Sequence, residues 1–163
     1  MKSKEEILEE LIAENTNEKL LFEQYKLYVE MANNISERRD KANKFYLALI
    51  SGVLTLVSII TSIKEFAPVI IVVLISNILI CWNWYQSIQS YKRLNSSKFK
   101  VINSIENKLP VKGYTVEWDL IQLKGHKDLT NIEKNIPLYL LGLCIIFLIL
   151  VTVQYSYGFL NAT

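Results

Sequence analysis

Helix breakers, thiols and imidazoles are scarce in this chain of 163 residues, which holds three prolines, five glycines, two cysteines and one histidine. No proline or glycine precedes Gly52, so nothing in the first fifty residues interrupts a helix. Too few glycines cluster to form a phosphate-cradling loop. Cys81 and Cys144 both lie inside apolar runs and read as buried free thiols, which excludes a disulfide framework. The lone His126 has no Cys or His neighbours, so no metal ligand set forms around it. The net charge of +2 is too small for a nucleic-acid-binding surface. Residues 1 to 20 carry Glu5, Glu6, Glu9, Glu10, Glu14 and Glu18 and no apolar core, so they do not read as a signal peptide.

What is present is a segregation of charge from apolar sequence. Residues 45–63 are free of charge, and nineteen residues at about 1.5 Å each reach roughly the thickness of a bilayer core. Residues 66–88 form a second uncharged run. Lys64 and Glu65 alone separate the two, which predicts a tight helical hairpin with Pro68 in the first turn of its second helix. No charged residue follows Lys134, and residues 136–160 are long enough to cross with tilt. Trp82, Trp84 and Tyr85, and then Tyr155, Tyr157 and Phe159, read as interfacial aromatics.

Residues 1–44 carry eight Lys or Arg and residues 89–135 carry nine, so 17 of the 18 basic residues fall on one side of the three spans. That bias predicts a cytoplasmic N-terminus, an external hairpin, a cytoplasmic 89–135 segment and an external C-terminus. The predicted divisions are therefore cytoplasmic N-terminal helices over 1–44, a transmembrane hairpin over 45–88, a cytoplasmic helix and loop over 89–135, a third span over 136–160 and a tail over 161–163.

Within the first segment, Ile7, Leu8, Leu11 and Ile12 fall on one face of a short acidic helix, and Asn15-Thr16-Asn17 supplies a break and a cap. Leu21, Tyr25, Tyr28, Ala32, Ile35, Arg39 and Ala42 then step by four and three, the spacing of a coiled-coil seam, and predict an oligomer contact on a helix that runs into span one. The second span is expected to continue as a helix through Tyr91, Leu94, Lys98, Val101, Ile105 and Lys108 until Pro110 ends it. Lys92, Arg93, Lys98 and Lys100 form a basic collar near the headgroups, which serves either anionic lipid or topology and solvation. Tyr114 to Ile121 reads as a short strand or an irregular turn. Thr130-Asn-Ile-Glu133 is a capping box that opens a helix, with Pro137 at a kink or at the start of span three.

No nucleophile–base set or metal spacing occurs, and no cofactor is expected. Glu117 and Asp119 would share one side of a strand, which leaves a carboxylate pair as the sole acid/base candidate beside the plainer reading of a solvated pair. The spans carry no ionisable residue, which argues against an ion-coupled transporter. They do carry Ala48, Ser51, Thr55, Ser58 and Ser62 three or four apart on span one, with Asn77 in span two. Such a stripe either lets helices approach closely or lines a pore in an oligomer.

Several segments together carry a resemblance: Gln24 to Phe45 (QYKLYVEMANNISERRDKANKF), Ser90 to Ile102 (SYKRLNSSKFKVI), Ile105 to Pro110 (IENKLP), Glu117-Trp118, and Asn131 to Pro137 (NIEKNIP). The chain resembles the RipA-like family of small bacterial membrane proteins, described as octameric. The resemblance implies a homo-oligomer, an octamer, in the bacterial inner membrane, linked to growth inside host cells or under stress, with no established reaction. Arg38, Arg39 and residues 131–134, at the membrane boundary, are then expected to meet neighbouring subunits. The reading as a whole is an all-α membrane protein with three transmembrane helices and a helical cytoplasmic part, assembled as a homo-oligomeric ring. Its partners are further copies and lipid, not nucleic acid, and its role is structural, with a channel or pore-forming effector as the alternative.

Overall fold

A computed structural model describes residues 17–60, 67–123 and 129–160, and every element among them is helical. In chain order these are α1 (Glu18–Ile60), α2 (Ala67–Glu106), α3 (Gly113–Leu123), α4 (Leu129–Glu133) and α5 (Asn135–Leu160). The 1–16 helix, the 64–65 turn, Ser62, His126 and the 161–163 tail lie outside the described residues.

The helices begin and end for local reasons. Asn17 caps α1, its Oδ1 accepting from the Lys19 amide at 2.9 Å. With no proline or glycine before Gly52, α1 runs on as one helix of 43 residues. Pro68 sits in the first turn of α2 and Pro137 in the first turn of α5, where a missing N–H removes no helical bond. Glu106 is the last residue of α2, the chain turns through the bonds from Lys108 N to Ile105 O and Leu109 N to Glu106 O, and Pro110 bars any resumption. One turn residue, Lys134, separates α4 from α5.

The segment expected as a strand or irregular turn is instead α3. An 11-residue amphipathic pattern and a period-two run are hard to separate at this length, and a cap supplied from outside the segment decides it. The capping box is also corrected. The helix has already started at Leu129, and the Glu133 carboxylate reaches α1 rather than back to the cap.

Three helices, α1, α2 and the α4–α5 stretch, are long and apolar enough to cross a membrane. The chain divides into two compact units. One comprises residues 17–38 and 91–123, and the other residues 39–60, 67–90 and 129–160.

In the second unit α1 and α2 are antiparallel, and α5 runs with α1. Ile50, Cys81, Trp84 and Ile88 form one core cluster against Tyr46, Leu54, Leu140 and Leu141. Val57, Ile70 and Leu74 form another against Phe147, Leu148 and Val151. In its apolar window α2 buries 28% of the residues, against 11% in each of the other spans, which makes it the middle helix. Trp84 is therefore a core residue rather than part of an interfacial belt, while Trp82 stays exposed and stacks on Tyr85.

In the first unit the buried apolar residues are Leu21, Ala32 and Ile35 of α1 and Ile102 and Ile105 of α2. Leu21, Ala32 and Ile35 of the four-three seam thus pack within a single chain and have little area left to offer a neighbour, while Tyr25 and Tyr28 of the same seam stay half-buried.

Candidate functional site

The most concentrated polar chemistry lies in the first unit, around Glu106, whose side chain is fully buried. Its position follows from a capping deficit. The carbonyl of Lys112 accepts the first helical bond of α3, from Val116 N at 3.1 Å, so Lys112 occupies the N-cap position. A lysine side chain has no acceptor to offer the next amides. Glu106 supplies it from the end of α2. Its Oε1 accepts from Tyr114 N at 2.9 Å, and its Oε2 from Thr115 N at 3.0 Å. The Thr115 hydroxyl adds a bond of 2.9 Å, and the Tyr25 hydroxyl of α1 donates to Oε1 at 2.7 Å. The negative charge also sits at the positive end of the α3 dipole.

Burial by itself pushes the Glu106 carboxyl up. The bonds from Tyr114 N–H, the Tyr25 hydroxyl and Thr115 outweigh it and hold the group below the usual carboxylate range. The same contact pushes the Tyr25 phenol up, first through burial and then through its bond to Glu106. Tyr114 packs edge-on against Tyr25, centroids 6.5 Å apart, and against Phe99 at 5.7 Å. With four donors on two oxygens, this carboxylate is a clamp joining α1, α2 and α3.

The second unit has a smaller polar relay. Arg39 and Glu133 form an ion pair at 3.0 Å, with side chains 17% and 20% exposed. Asn43 Nδ2 lies 3.5 Å from the other Glu133 oxygen, and Asn43 Oδ1 accepts from Trp84 Nε1 at 2.9 Å. Tyr46 stacks on the Trp84 ring at 6.0 Å. Arg39 and Glu133 were expected between subunits. They meet within one chain, because one helical turn of α1 brings Arg39 and Asn43 to the same edge of α4. Deeper, Asn77 is fully buried and donates to Cys144 Sγ at 3.4 Å, while its Oδ1 has no partner among the described residues.

The remaining candidates separate. Ala48, Ser51, Thr55 and Ser58 lie exposed on α1, with the Thr55 hydroxyl bonded to the Ser51 carbonyl at 2.8 Å. Asn77, buried on α2, is not part of that stripe. The basic collar is also uneven. Lys98 is drawn over the Tyr28 ring, 4.9 Å from its centroid, and against Met31 Sδ at 3.6 Å. Arg93 and Lys100, seven residues apart, do share an exposed face. Lys92 is half-buried. Glu117 and Asp119 now sit on a helix, where residues two apart point about 160° from each other, so they form no carboxylate pair. Sequence reasoning missed Glu106 and Asn43. The available signal for Glu106 was a capless Lys112-Gly113 start following a helix that Pro110 forces to turn back.

No curated protein and no solved structure matches the chain. The sequence profile of one family does, over residues 22–154, and that interval holds Tyr25, Arg39, Asn43, Glu106 and Glu133 as well as most of all three apolar helices. On that match the chain belongs to the octameric membrane protein family (8xMP).

Proposed function

We propose that the protein is a structural or scaffolding assembly of the bacterial inner membrane, built as a closed ring of identical chains with cytoplasmic N-termini and external C-termini. The observation that carries the reading is the use of its polar groups. Glu106 holds four donors and Arg39 holds Glu133, so the strongest polar residues bond helices to one another rather than lining an open cleft. The exposed small-residue face of α1, Ala48, Ser51, Thr55 and Ser58, supports close approach of copies inside the bilayer. The orientation rests on the basic-residue bias. A link to envelope stress or growth inside host cells rests on the family resemblance alone.

A second reading, a channel or pore, is favoured by one observation: the hydroxyls of Ser51 and Thr55 lie on an exposed face of a membrane helix. The native mass of the detergent-extracted protein tests the assembly, and ion flux through liposomes carrying it separates the two readings. A large closed species without flux supports the scaffold. Flux that disappears when Ser51, Thr55 and Ser58 are changed to Ala or Gly supports the pore.

A further inference from the structure

Two apolar stripes remain largely exposed in the unit of residues 17–38 and 91–123, outside the uncharged spans, with Lys98 Nζ reaching only the edge of one at Met31 Sδ. On α1, Leu20, Leu27 and Met31 fall within an arc of about 40° at about 100° per residue, and their side chains are 38 to 55% exposed. On α3, Val116, Leu120 and Leu123 fall within about 60° and are 54 to 84% exposed.

The stripes face apart. The α1 residue that touches α3 is Tyr25, five positions from Leu20 and so about 140° round the helix from it. The α3 residue that touches α1 and α2 is Tyr114, about 160° round from Val116. Each stripe therefore lies on the far side of its own helix from the contact that joins α1 to α3. Exposed leucines outside a membrane call for cover, and two dissimilar patches directed away from each other are what a head-to-tail ring requires. A two-fold contact would use one patch twice, whereas a cyclic assembly places a different patch on each side of every subunit.

We propose that a second copy of this chain covers each stripe, the α3 stripe of one protomer seating on the α1 stripe of the next, so that the contact is heterologous and propagates around the ring. The proposal rests on the ring reading above and on the family being an octameric one.

Cysteine cross-linking tests it. Full-length Leu27→Cys and Leu120→Cys chains, each with a different tag, are co-expressed, extracted in detergent and treated with a short bis-maleimide. Native Cys81 and Cys144 are buried and stay in place. The expected result is cross-linking between the two variants and none within either, while a double-variant chain gives a ladder of products up to the closed ring. Leu27→Glu and Leu120→Glu, at positions exposed within the protomer, are each expected to lose the large species while keeping helical content. Mixed together, they are expected to form dimers through their one intact contact. Pairs of like variants, or no mixed pairs in a particle of unchanged large mass, overturn this contact and leave the ring standing. A wild-type monomer overturns both. Quenching by brominated lipid of a Leu123→Trp probe, in a chain with Trp82 and Trp118 changed to Phe and with no cross-link formed, assigns the α3 stripe to the membrane surface and also overturns the contact.

Discussion

Outside the apolar spans, three helices converge on one buried carboxylate: α2 carries it, α1 donates a phenol hydroxyl to it, and α3 donates two backbone amides and a threonine hydroxyl. In the unit of residues 39–60, 67–90 and 129–160, helices meet over apolar clusters, and polar contacts are few and spaced along the bundle. The difference follows from what each unit must bury. Spans of uniformly apolar residues pack by contact alone, so a polar bond there adds register more than energy. A short helix such as α3 buries no residue fully and lacks its own cap, so it depends on a charge-assisted anchor.

The sharpest way to break the comparison is Glu106→Ala. It leaves two amides and two hydroxyls without an acceptor and is expected to cost about 3 kcal/mol or more. Hydrogen exchange at the α3 amides should rise steeply while that of α2 within the span stays unchanged. Retained protection at Tyr114 and Thr115 would show that α3 does not rely on this carboxylate.

Acidity tests the same clamp. Because the folded-state value of Glu106 is held below its ordinary one, its contribution is present above the ordinary range and is lost as pH falls through the folded value. The raised Tyr25 phenol acts at the other end. Its contribution is full below about 10 and drains away as pH climbs from there through the folded value. Urea midpoints of the first unit should therefore fall at both extremes, and Glu106→Gln should flatten the acid limb. Tyr25→Phe, which removes a single bond to a charged acceptor, is expected to cost about 1.5–3 kcal/mol and to flatten the alkaline limb.

In the membrane unit the largest polar effect belongs to Arg39→Ala, expected at about 1 kcal/mol because the pair is partly solvated. A double-mutant cycle with Glu133→Gln checks whether that loss is shared. The smallest effect is expected for Asn77→Leu. Among the described residues its one bond is a long contact to sulfur and its Oδ1 has no partner, so thermal stability in detergent should change by less than about 1 kcal/mol. A loss as large as that of Glu106→Ala would erase the contrast between the units.

Much of the helical framework was legible in the residues. The three uncharged runs, the four-three periodicity of α1 and the cap at Asn17 are local signals, and so is the stop before Pro110, although α2 ends at Glu106 and leaves Lys108, expected in the helix, in the turn. The periodicity of Leu21 to Ala42 told which face of α1 is buried. It did not tell what buries it, because intrachain packing and oligomer packing impose the same spacing. The same ambiguity sent Arg39 and Glu133 to the wrong partners. Residues 94 apart meet only once the chain has returned through α4, and nothing near either of them encodes that return.

The sequence by itself determined the all-helical class, the three apolar helices and the membership of a membrane family, since each depends on composition and periodicity along the chain. The tertiary structure alone decided that α3 is a helix, that Glu106 is its cap, and that Leu21, Ala32 and Ile35 of α1 are buried inside one protomer while Leu20, Leu27 and Met31 stay exposed. The reason is physical: a cap borrowed across six residues of turn and an exposed stripe opposite a buried one are properties of which surfaces meet, and the order of residues fixes these only through the fold.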